Sequence, residues 1–163
     1  MAYFSLAKST AKVAQALATK LSDHFDMNFA EIISARNHGY RYWLFLSFLP
    51  NVGAAINPVE TSLEKFDVLV LGTPKWTFNC PPVTQYLKLL RGTENKPAAL
   101  YVVHKGFDEI RYLQSLKRKM LRKHLNVIAT ATFLADKVGD GSYEPMLNSF
   151  AADIIKAISG TGR

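Results

Sequence analysis

Short unbroken apolar runs alternate along the chain with longer stretches in which apolar residues return every three or four positions. Ala2 to Ser5 is the first apolar run and predicts a buried strand. The next stretch puts Val13, Ala14, Leu17 and Leu21 on one side, the spacing of an amphipathic helix. Ser9 or Thr10 is expected to cap its first turn through a hydroxyl. Asn28 to Ile33, with Phe29, Ile32 and Ile33, predicts a second strand. Phe66 to Leu71 (FDVLVL), ended by Gly72, predicts a third. Its unbroken apolar character implies burial on both faces, as in a central parallel strand. Pro82 to Leu90 predicts a helix with Val83, Tyr86, Leu87 and Leu90 inward and Gly92 just past its end. Ala98 to Val103 (AALYVV) repeats the buried-strand pattern. A helix then runs from about Asp108, with Ile110, Leu113, Leu116 and Met120 aligned. Asn126 to Phe133, rich in β-branched residues, predicts a fifth strand. Glu144 to Ile158 predicts the last helix, with Leu147, Phe150, Ile154 and Ile158 inward, and Gly160 to Arg163 a frayed end.

Strand and helix thus alternate, which implies an α/β protein with helices on both faces of a parallel sheet. Five strands in a chain of 163 residues fit one doubly wound five-stranded parallel sheet of order 2-1-3-4-5, a single domain over residues 1–163. One connection is long, Ala35 to Lys65. It holds the aromatic cluster Tyr40, Tyr42, Trp43, Phe45 and Phe48, with turn signals at Pro50, Gly53 and Pro58. Packing on the chain's own sheet is the default fate of such a cluster. Covering a ligand, or making a homodimer or membrane-surface contact through Tyr40 to Phe48, are the alternatives.

Composition narrows the class. A chain 48% hydrophobic excludes disorder as the main state. One cysteine cannot form an internal disulfide and fits a reducing compartment. With no apolar run long enough to span a bilayer and no signal-peptide order at the N-terminus, a cytoplasmic protein is expected. The net charge of +7 favours acidic partners. His24, His38 and His124 lack metal-ligand spacing, so no metal is expected.

In an open α/β sheet, ligands bind at the carboxyl ends of the strands, beside the point where strand order reverses. Three loops meet there: Ser5 to Thr10, Gly72 to Pro82 and His104 to Asp108. The first lies at the positive end of a helix, and Ser5, Ser9 and Thr10 add hydroxyls, which suits a phosphate held without metal.

At these residues the sequence resembles the flavodoxin family. YFSLAKSTAKVAQAL is similar to its first strand, phosphate loop and first helix. FDVLVLGTPKWTFNCPPVTQYLKLL is similar to its third strand, flavin-contacting loop and following helix, and ALYVVHKGF to the start of its third flavin loop. The resemblance implies noncovalent FMN, with Ser5, Ala7, Lys8, Ser9, Thr10 and Ala11 around the phosphate. Thr73, Pro74, Lys75, Trp76, Thr77, Phe78 and Asn79 would line the ribityl chain and ring, Trp76 stacking. His104, Lys105, Gly106 and Phe107 would approach the ring's other edge. The sequence departs from the family pattern at Ala7, which removes a hydroxyl, and at Lys8, which stands for a glycine.

The expected function is electron transfer or reduction of quinone-type acceptors by an FMN-binding protein, either a carrier or an oxidoreductase. The flavin does the chemistry, so no side chain is assigned a catalytic role, and Cys80 has no partner for a dithiol cycle. The alternative is a flavin-free interaction module whose phosphate loop has degenerated at Ala7 and Lys8. Arg111, Lys117, Arg118, Lys119, Arg122 and Lys123 are expected on the outer face of their helix, where they suit an acidic redox partner. Nucleic acid is disfavoured, since no reading motif is present.

Overall fold

The apolar runs pair as expected in a computed structural model that describes residues 1–36 and 38–160, Tyr40 by its backbone. The strands are β1 (Ala2–Tyr3), β2 (Ala30–Glu31), β3 (Leu69–Pro74), β4 (Pro97–His104) and β5 (Asn126–Leu134). They form one sheet of order β2-β1-β3-β4-β5 in which every pair is parallel. The helices are α1 (Ser9–Leu21), α2 (Tyr40–Ser47), α3 (Pro81–Leu89), α4 (Glu109–Arg122), α5 (Ala135–Asp140) and α6 (Glu144–Ser159). Of the expected frayed end, residues 161–163 lie outside the described residues.

Side chains along a strand point to alternate faces, and the two cores follow that rule. Leu69, Leu71, Leu100 and Val102 face α3 and α4, with Leu87, Leu116 and Met120. Val70, Ala99, Tyr101 and Val103 face α1 and α6, with Leu17, Leu147 and Phe150. Both sides of β3 and β4 are therefore covered, as their unbroken apolar sequence demands.

Four expectations need correction. Strand two shrinks to Ala30–Glu31, and of Phe29, Ile32 and Ile33 only Ile32 is buried. Ala30 and Ile32 share the face packed on the core, whereas Phe29 and Ile33 fall on the alternate positions, which point to the uncovered face and meet water. On α4, Ile110 is 57% exposed, and Tyr112 instead joins Leu113, Leu116 and Met120 in the core. Ile110 is two residues before Tyr112, about 200° around the helix, and so lies off the face set by Tyr112, Leu116 and Met120. Lys119 does not stand on the outer face: its Nζ donates to Asn79 Oδ1 (3.0 Å) and Thr84 Oγ1 (3.1 Å). The aromatic cluster falls in and beside α2, but among its described side chains Trp43 alone is buried, and Phe45 is 68% exposed. Helix α5 was not foreseen, because six residues hold too few turns for a period. It is anchored by Val138 and by Lys12 Nζ, which donates to its Val138 carbonyl (2.7 Å).

Candidate functional site

The chain leaves β1 through Phe4, whose N–H still donates to Gly72 O, and enters α1 at Lys8. Lys8 is the helix N-cap, with φ 61°. Neither Ser9 nor Thr10 caps the helix, since both lie inside its first turn. The hydroxyl of Ser5 takes over that task and accepts the Ala11 N–H (3.3 Å). The backbone N–H groups of Ala7, Lys8 and Thr10 have no partner among the described residues. Unpaired donors at the positive end of a helix are what an anion binds. The turn is held from across the sheet: Tyr101 OH donates to Thr10 O (3.0 Å). That reach requires Gly72, because a Cβ there would stand 2.2 Å from the Tyr101 ring.

The second loop continues from β3, with Lys75 N–H donating to Val103 O (2.7 Å). Trp76 is half-buried, edge-on to Phe4 (5.6 Å between centroids) and 5.8 Å from Trp43. Ser47 Oγ donates to Leu44 O (2.6 Å), so the Thr77 hydroxyl donates to Ser47 Oγ (2.8 Å). Asn79 turns inward. Its Nδ2 donates to Leu49 O (3.2 Å) and Val52 O (2.7 Å), and its Oδ1 accepts from Thr84 and Lys119.

In the third loop His104 is buried, and its Nδ1 accepts the Gly106 N–H (3.0 Å). Burial pushes its pKa below the usual histidine value; Glu109 opposes this, and the Lys75 charge adds a smaller push downward. The ring is therefore neutral near pH 7, with Nε2 as the donor. Gly106, Phe107 and Asp108 all have positive φ, and Phe107 is 88% exposed, with Lys75 Nζ 5.9 Å from its ring.

Between these loops lies a cleft of about 410 Å³. The first loop contributes Ala7, Ser9 and Thr10, the second Pro74, Lys75, Trp76 and Thr77, and the third His104 and Lys105. The other expected residues do not line it. Ser5 is engaged as a cap, Lys8 is exposed, and Ala11 lies within α1. Thr73 is buried, Phe78 packs against Phe48, and Asn79 is spent on the loop network. Gly106 and Phe107 stand beyond His104.

The architecture has close parallels among solved structures. A flavoprotein of Lactobacillus acidophilus, solved in complex with FMN, superimposes with a TM-score of 0.64 at 16% identity, over 86% of this chain and 95% of its own. Two-electron reduced flavodoxin of Megasphaera elsdenii gives 0.61 at 14% identity, over 98% and 99%. No family model matches the sequence. An uncharacterized protein of Archaeoglobus fulgidus, however, is 32% identical over 120 residues, which is 74% of each chain. The chain belongs to that protein's family, and its fold is flavodoxin-like.

This flavodoxin-like chain adds wall residues that its sequence did not single out for the site. Leu6, Trp43, Leu44, Val103 and Ala135 complete the cleft. Trp43 and Leu44 belong to the aromatic cluster, for which covering a ligand was one of the fates read from sequence. Ala135 directly follows β5, so the carboxyl end of that strand joins the three loops in forming the cleft. Cys80 is buried, and its thiol is pushed up to about 12 by burial, so it offers no nucleophile. No helix among the described residues is long and apolar enough to cross a membrane.

Proposed function

We propose that the cleft binds FMN noncovalently and that the protein transfers electrons in the cytoplasm, as a carrier or as a reductase of quinone-type acceptors. The observation that carries this reading is the meeting in one cleft of Ala7 and Thr10, whose N–H groups have no partner among the described residues, with the Trp76 and Lys75 wall at the carboxyl edge of the sheet. The residues fit the group. The α1 turn supplies unpaired donors for a phosphate, and Ser9 and Thr10 add hydroxyls. The indole of Trp76 offers an aromatic surface, already clamped by Phe4 and Trp43. Bound FMN would supply one- and two-electron chemistry. The chain's own groups bind, orient and tune it. His104, held neutral, can donate from Nε2 to an acceptor atom. Lys75 and Lys105 supply positive charge to the same cleft. An acidic redox partner would suit the exposed Arg111, Arg118 and Arg122 of α4.

Positive charge favours the more negative charge state of a bound group. The FMN-loaded protein should therefore show a reduction potential less negative than that of acidic flavodoxins, read by photoreduction with a reference dye. Lys75→Gln with Lys105→Gln should move it in the negative direction. An FMN-loaded protein whose potential ignores both substitutions would contradict the assignment of these lysines.

A further inference from the structure

A second groove, of about 390 Å³, shares Thr77 with the cleft as a lining residue. Phe48 and Phe78 form one wall. Their rings meet edge to face with centroids 6.0 Å apart, and both stay about half exposed, at 51% and 49%. Tyr112 lies buried beneath, its hydroxyl directed to Pro74 O (3.4 Å). Arg111, Ser115 and Arg118 of α4 line it as well, together with Asp108. Positions 111, 115 and 118 share one helix face, so both guanidinium groups serve the same groove. Among the described residues neither guanidinium makes an ion pair or a side-chain hydrogen bond.

These features select a ligand class. A planar ring can lie against the phenylalanine wall, where aromatic pairs gain more than the area they bury. Two unpaired guanidinium forks match an anionic oxygen pair, which a single Asp108 carboxylate does not satisfy. The volume lies within the range of small-molecule sites. We propose that this groove binds a planar aromatic anion. If the flavin reading above holds, the anion is a quinone that takes two electrons and two protons from reduced FMN to become its hydroquinone, leaving FMN oxidised; the binding itself does not rest on that reading.

Lawsone, a hydroxynaphthoquinone that is an anion at neutral pH, is the probe, and uncharged menadione is its control. Each is titrated by calorimetry into the protein alone and into the protein with saturating FMN. The expected result is lawsone binding at one site in both states, with menadione about tenfold weaker. Arg111→Ala with Arg118→Ala should weaken lawsone about tenfold or more while leaving FMN binding and the circular dichroism spectrum unchanged. Phe78→Ala should weaken lawsone and menadione alike. The proposal falls if lawsone does not bind, if the double arginine variant binds it as well as the native chain, or if FMN competes with it. It also falls if menadione binds as tightly as lawsone. A separate FMN titration keeps the two readings apart: arginine-dependent lawsone binding without FMN binding sustains the groove and sinks the flavin reading, and the reverse result sinks the groove alone.

Discussion

His104 shows how one residue's surroundings decide its charge. Burial and Lys75 lower its pKa from the ordinary 6.5, so the unfolded chain takes up a proton that the folded chain refuses. Its contribution to stability is present above pH 6.5 and is lost as pH falls through the folded value. The expected outcome is an NMR titration of His104 with a midpoint below 6.5, together with an acid-side loss of stability that His104→Gln reduces. Asn79 shows what residue type alone does not reveal. The resemblance put it against a flavin ring, yet its amide pins the Leu49 and Val52 carbonyls and meets Thr84 and Lys119. An asparagine in a loop reads alike whether it faces ligand or core, because direction comes from partners far away in sequence. Asn79→Ala should cost about 1–3 kcal/mol in urea unfolding, since it removes the hydrogen bonds of a buried amide to the Leu49 and Val52 carbonyls and from Thr84 and Lys119. A loss of a few tenths would contradict that network.

At the scale of elements, legibility followed length. The runs that became β3, β4, α1 and α6 were long enough to show their period, and they stand within a few residues of where the pattern put them. The two-residue β1 and β2 and the six-residue α5 owe their form to neighbours instead. The start of α1 depends on a conformation that no period reports. Lys8 sits in the left-handed region at φ 61°, which costs a side-chain-bearing residue roughly 1 kcal/mol and costs glycine little. Lys8→Gly should therefore raise unfolding stability, by up to about 1 kcal/mol, with the loop geometry preserved. A destabilised Lys8→Gly variant would show that the Lys8 side chain contributes more than its backbone strain costs.

For the whole molecule, alternation of strand and helix was enough to read the sheet order and to bring three loops to one end. What stayed hidden was the far wall of the cleft. Trp43 and Leu44 arrive from the long second connection, and distance along the chain gives no hint of where α2 docks. The same connection supplies Phe48, and so joins the cleft to its neighbouring groove. The net charge of +7 suits both sites to anions. In the proposed function the α1 turn holds the phosphate of FMN and the Trp76 wall its ring. The most direct measurement is titration of the flavin-free protein with FMN and with riboflavin, read by flavin fluorescence. We expect FMN to bind at micromolar concentration or tighter, and riboflavin, which lacks the phosphate, to bind about tenfold weaker or worse. Equal affinity for the two would contradict the phosphate site, and binding of neither would leave the fold with its flavin-free alternative.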